Sequence, residues 1–135
     1  MAKSKSVTME AADAFDEKLK MAAGEARKAA VAAARAWAAT ATRNVNGSLI
    51  GSCGRAHLNV SKPSNAFREA WARFRPDNAS NRLSSKKLWL RFLEPADYLG
   101  IDQTIDAGEA ACRAGMKVFQ HHFPDEQFYM DSYLD

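Results

Sequence analysis

Residues 8–42 read TMEAADAFDEKLKMAAGEARKAAVAAARAWAATAT, with no proline, a single glycine at 24 and a dense supply of Ala, Lys, Glu and Met. That is the composition of a long helix, with Ser6 or Thr8 placed to cap it. It sets the fold class as mainly α: a small helical domain around one long Ala-rich N-terminal helix. Within the stretch Ala12, Phe15, Leu19, Ala22, Ala26, Ala29, Ala33, Ala36 and Thr40 recur at alternating steps of three and four. Such a seam stays on one face for about four heptads. Because it consists mostly of methyl groups, a partner helix can approach more closely than along a leucine seam.

Downstream, residues 44–63 carry Asn44, Gly47, Gly51, Gly54 and Pro63 and read as a Gly-rich loop or small hairpin. Residues 64–93 read as basic, aromatic helices. Ser64 or Asn65 caps the first, which places Phe67, Ala70, Trp71 and Phe74 on one face and stops before Pro76. Ser84 or Ser85 caps a second through Leu93, although the run KLWLRFL also suits a strand. Residues 94–135 form an acidic helix and tail. The helix, from Asp102 to about His122, shows Ile101, Ile105, Gly108, Cys112, Gly115, Phe119 and His122 at helical spacing, with small residues in the middle, a second small-residue seam. Its natural partner is the alanine face of the first helix, within one chain or between copies. At the usual rise the two helices span roughly 50 and 30 Å, so a homo-oligomer is one way to cover the excess. The tail FPDEQFYMDSYLD is too aromatic to float free and is expected to dock on the body.

A chain of 135 residues suits one domain, 1–135. The start, MAKSKSVTMEAADAF, has no apolar run behind its lysines, so an intracellular, cytoplasmic protein is expected. The most apolar window, residues 29–41, is too short and too alanine-rich to span a bilayer, and no membrane partner is expected. Cys53 and Cys112 read as free thiols. The triplets at Asn46, Asn59 and Asn78 match the glycosylation acceptor pattern but without an export signal they mark only polar loops.

The formal net charge of +3 hides a strong asymmetry. Residues 44–92 hold nine basic residues against Glu69 and Asp77, a net +7, whereas residues 93–135 hold nine acids against Arg113 and Lys117, a net −7. A field of that size recruits a polyanion or is neutralised by its own chain. The favoured function is therefore a non-enzymatic macromolecule-binding protein with nucleic acid as ligand. Arg68, Arg73, Arg75, Arg82, Lys86, Lys87 and Arg91 would neutralise phosphates, and Trp71 or Trp89 would stack on bases. The spacing of Phe67, Trp71 and Phe74 is equally that of a half-buried helix, so the charges carry this reading more than the rings. The alternative is a protein-binding regulator or inhibitor whose acidic C-terminal half engages a basic protein partner, with the surface of a nucleic-acid mimic.

Chemistry is less well marked. Cys53 and His57 in CGRAH, with Cys112, His121 and His122, are zinc-ligand types, but the spacing is no zinc pattern. A Cys53 nucleophile beside Gly51 and Gly54 makes a Cys/His enzyme the third reading. The glycines of GSLIGSCG fit neither a dinucleotide fingerprint nor a P-loop. No cofactor, metal site or catalytic residue is assigned.

Overall fold

The computed structural model describes residues 2–41, 54–75, 87–90 and 104–134, with backbone alone at 2–9, 55, 87 and 89. Helix α1 runs Ala2–Thr40, strand β1 Gly54–Ser61, helix α2 Asn65–Phe74, strand β2 Lys87–Leu90, helix α3 Ile105–His122 and strand β3 Gln127–Leu134. The protein is mainly helical, as its long alanine-rich stretch implies.

Helices α2 and α3 are bounded by the chemistry their sequences announce, whereas α1 begins at Ala2, ahead of Ser6 and Thr8, so neither of those residues caps it. Ser64 caps α2, its hydroxyl accepting from the Phe67 N–H at 3.1 Å, and Arg75, just before Pro76, ends it. Thr104 caps α3 by accepting from the Ala107 N–H at 3.3 Å, and Phe123, just before Pro124, closes it. Pairing an N-cap hydroxyl with a C-terminal X-Pro step leaves little freedom in helix length.

The buried stripe of α1 is Leu19, Ala22, Ala23, Ala26, Ala30, Ala34 and Ala38. The heptad reading correctly includes Leu19, Ala22 and Ala26 but then expects Ala29, Ala33 and Ala36, whereas burial moves to Ala30, Ala34 and Ala38. The cause is the mismatch between 3.5 and 3.6 residues per turn: a helix that does not supercoil drifts about 20° per heptad. Helix α1 packs along α3, with His122 meeting Glu25 at 2.8 Å and Phe123 touching the ring of Phe15 at 5.3 Å. The two helices thus pair within one chain.

On its other side α3 lies against β1 and β3. The sheet is three-stranded in the order β2-β1-β3, both pairs antiparallel. This corrects the reading of residues 54–61 as loop or local hairpin: they form the central strand, paired with two segments far away in the chain. It also decides residues 87–90 in favour of a strand over a helix, and docks the aromatic tail as β3. Leu58 faces Leu90 and Met130 across the sheet, and Val60 faces Leu88 and Phe128, which builds the core side. Gly54 is required where α3 begins, because a methyl there would sit 2.9 Å from Ile105 Cβ and against the Tyr133 carbonyl oxygen. A methyl at Gly108 would sit 3.5 Å from the Ala56 nitrogen of β1, an ordinary contact, so that part of the second small-residue seam faces the sheet instead of α1.

Where the elements converge, Phe67 contacts the rings of Phe15, Phe123 and Phe128 edge-on at 6.4, 5.2 and 5.9 Å and stacks with Trp71 at 6.5 Å. Aromatic pairs in these geometries add about 0.5–1.5 kcal/mol each beyond burial.

The alanine stripe gives a direct test. Ala30→Leu places three extra carbons in a fully buried position and is expected to cost about 1–3 kcal/mol. Ala32→Leu, exposed on the same helix, is expected to stay within about 0.5 kcal/mol of wild type. Urea denaturation measures both, and equal effects would show that the stripe is misplaced.

Candidate nucleic-acid interface

The structure describes only part of the expected basic site. Arg68, Arg73, Arg75 and Trp71 lie on or at the end of α2, and Lys87 and Trp89 lie on β2, in register with Ser61 and Asn59 of β1. Arg82, Lys86 and Arg91 fall outside the described residues. Trp71 is fully buried, its ring set edge-on to Phe74 and Phe119 at 5.6 and 6.4 Å. It belongs to the core, and a base cannot stack on it while the fold is intact. This corrects its assignment as a stacking residue.

Arg73 is also engaged. Its Nε and Nη2 donate to the Asp16 carboxylate at 2.8–3.2 Å, a bidentate clamp between α2 and α1. The hydrogen bond from Arg73 and its positive charge hold the Asp16 carboxyl below its ordinary value. The same bond raises Arg73. Arg73 thus neutralises a carboxylate of its own chain.

A site not foreseen from the sequence appears on the face of the sheet opposite α3. Side chains alternate across a strand, so with Leu58, Val60 and Phe128 in the core, His57, Asn59 and Ser61 of β1 share the other face with Tyr129, Asp131 and Tyr133 of β3. The register pairs His57 with Asp131 and Asn59 with Tyr129. Asn59, only 1% exposed, donates from Nδ2 to Asp131 Oδ2 at 3.2 Å and to the His57 carbonyl at 3.4 Å. The Tyr133 hydroxyl donates to the same Asp131 oxygen at 3.5 Å, and the Tyr133 and His57 rings lie 5.6 Å apart, tilted by 49°. The face is closed at Asn59 and open at Tyr133, which is 51% exposed. Arg55 pairs with Tyr133 in the register. The signal for this site lay in the alternation of Arg55, His57, Asn59 and Ser61 with Ala56, Leu58 and Val60, a strand pattern.

The other candidate groups have structural partners. Glu126 accepts hydrogen bonds from the Ser64 N–H at 3.2 Å and from the Ser64 hydroxyl, tying the turn before β3 to the start of α2. Glu109 pairs with Arg113 at 3.6 Å and accepts from the Ser132 hydroxyl at 3.3 Å. Cys112 is a buried free thiol, pushed up to about 12 by burial and by the Glu109 charge, so it stays protonated and a poor nucleophile at neutral pH. Cys53 lies outside the described residues, and with it the Cys53–His57 pairing. Among the described residues no group of three or more metal-ligand side chains comes together, and no helix is long and apolar enough to cross a membrane. Comparison with known protein families, with curated proteins and with solved structures finds no match to this chain.

Two measurements check these assignments. A double-mutant cycle on Asp16 and Arg73 is expected to give a coupling of about 0.2–1 kcal/mol at neutral pH, the range of a solvent-accessible pair. Because Asp16 is lowered in the folded state, that coupling is present above the ordinary carboxylate value of about 3.9 and is lost as pH falls through the lower folded value; a coupling unchanged at about pH 2 would contradict the clamp. In a Cys53→Ser protein, Cys112 is expected to react with a disulfide reagent at pH 7 at least about tenfold more slowly than in urea. Equal rates would show that the thiol is not buried.

Proposed function

We propose that this protein is a non-enzymatic binding protein whose ligand is single-stranded nucleic acid, held on the polar face of the sheet at its Tyr133, His57 and Asp131 end. The observation that carries this reading is the half-exposed Tyr133 ring packed against His57 on an otherwise polar strand face. Unpaired bases stack on exposed aromatic rings with little sequence preference, and sheets that present such rings are a recurrent way to hold single strands. Positive charge for the phosphates is expected from the segment that the charge asymmetry singles out, in which Arg55 stands in register with Tyr133 and Lys87 of β2 in register with Ser61 at the far end of β1. Arg73 contributes less, because Asp16 already occupies it.

The protein-binding reading has less support. The acidic C-terminal third spends Glu109, Glu126 and Asp131 on contacts within the chain, which leaves fewer carboxylates to imitate a phosphate backbone.

Fluorescence anisotropy with labelled eight-nucleotide RNA and DNA strands at low salt tests the proposal. Log affinity is expected to fall linearly with log salt, and Lys87→Ala to shrink the slope by about 0.7. Tyr133→Ala is expected to weaken binding by about 1–3 kcal/mol, roughly 5- to 100-fold. Absence of binding at low salt, or a Tyr133→Ala affinity equal to wild type, would overturn it.

A further inference from the structure

We propose that the outward face of α1 is a docking surface for a second copy of this chain, the two α1 helices pairing antiparallel about a two-fold axis level with Ala22 and Ala23. This does not depend on the nucleic-acid reading. The surface consists of side chains that the fold leaves unused. Along α1, away from the alanine stripe that packs on α3, positions 10, 14, 17, 21, 24, 28, 31 and 35 recur at steps of four and three; all are exposed except Val31, which is half-buried. A spacing of that kind keeps a seam on one helix face. Two of its members have no role within the chain. Met21 is a large apolar side chain left 58% exposed. Gly24 stands in mid-helix with nothing within 4 Å of where its Cβ would lie, so packing among the described residues does not require a glycine there, although glycine is the poorest helix former after proline.

In an antiparallel pair centred there, every layer of the seam is complementary. Met21 fills the space over Gly24 of the second copy, Glu17 meets Lys28, Glu10 meets Arg35 and Ala14 meets Val31, and the two-fold axis makes each contact twice. Among the described residues no side-chain partner engages Glu10, Lys28 or Arg35. Glu17 holds only a 3.5 Å pair with Lys20, both side chains largely in water, a contact weak enough to be exchanged. Two helices crossing at about 20° keep a seam of this spacing in contact. Other arrangements fit worse. A slip of one heptad sets Met21 against Glu17 or Lys28 against Gly24, and a parallel pair sets Glu17 against Glu17 and Lys28 against Lys28, so like charges select the antiparallel register. A polyanion is a poorer occupant, because Glu10, Asp13 and Glu17 share the face with Lys28 and Arg35. The rim is mixed, Lys18 standing opposite Glu25 of the second copy and Lys20 opposite Arg27, and the layers decide. Since α3 lies between α1 and the sheet, the dimer carries its two sheets on opposite outer flanks.

Sedimentation equilibrium of the full chain at low salt, from about 10 μM to about 1 mM, measures the assembly. Exposed ion pairs are individually weak, so the mass is expected to rise from monomer toward dimer across that range and to fall back as salt is added. Glu17→Lys and Lys28→Glu, each alone, put like charges into two layers and are expected to weaken the dimer at least about 10-fold. Mixed in equal amounts, the two variants restore opposite charges in those layers and are expected to form a heterodimer of about wild-type affinity. Gly24→Leu removes the space for Met21 and is expected to weaken the dimer while raising the melting midpoint of the monomer, because leucine is the better helix former. That opposite pair of shifts is one that a merely structural role for Gly24 would not produce. A wild-type mass that stays monomeric at about 1 mM would overturn the proposal. So would a dimer that both charge reversals and Gly24→Leu leave unchanged, since it must use another face. Two variants that fold, by circular dichroism, but fail to associate on mixing would overturn the antiparallel register.

Discussion

The close contact between α1 and α3 is the constraint on which the rest of the structure depends. From Ala22 to Ala38 the buried face of α1 carries nothing larger than a methyl group, so the two helix backbones can approach closely. Helix α3 consequently becomes a middle layer, with α1 on one side and β1 and β3 on the other. Small residues complete the arrangement: Gly108 of α3 faces Ala56 of β1, and Gly54 of β1 lets the start of α3 pack closely on the start of that strand. A methyl contributes little burial compared with a ring, which at about 1.5–3 kcal/mol per large apolar side chain shifts the stabilising load elsewhere. It falls on the other end of the molecule, where Phe15, Phe67, Trp71, Phe119, Phe123 and Phe128 interlock.

This division of labour also explains what the opposite charges of the middle and final thirds do. The acidic tail docks by backbone pairing along the whole of β1, and its carboxylates serve local ends: Glu126 holds the cap of α2, and Asp131 holds Asn59. One cation of the basic segment, Arg73, is neutralised from α1, by Asp16.

The helices were legible because their information is local. Ser64, Thr104, Pro76 and Pro124 mark ends within a few residues of where they act, and the apolar spacing of Phe67, Ala70 and Trp71 is resolved inside one element. The drift of the α1 stripe was missed because a heptad template assumes a supercoil that a partner as short as α3 does not impose. The sheet was harder to see. Leu58 and Val60 alternate with polar residues over only a few positions, and β1 finds its partners some thirty and seventy residues away, a pairing no local pattern specifies. The candidate site inherits that difficulty: His57, Asn59, Asp131 and Tyr133 become neighbours only once the register of β1 against β3 is known, whereas Arg68 to Arg75 attract notice simply by being adjacent in sequence.

A binding surface must be made from side chains that the core does not use, and that requirement is why the interface is proposed on the sheet and not on α2. Helix α2 turns Phe67, Ala70 and Trp71 inward, and its most exposed arginine, Arg73, closes on Asp16; little of its aromatic character reaches solvent. Among the described residues, the large apolar side chains that remain exposed are Met21, Tyr133 and Leu134. Tyr133 is the ring among them, and it is the one flanked by a second ring and an oriented carboxylate. Burying an Asn in order to fix that carboxylate has a cost unless its hydrogen bonds are made, and Asn59 makes them to Asp131 and to the His57 carbonyl. The backbone of β1 alone would not require a polar side chain at residue 59; the orientation of Asp131 does.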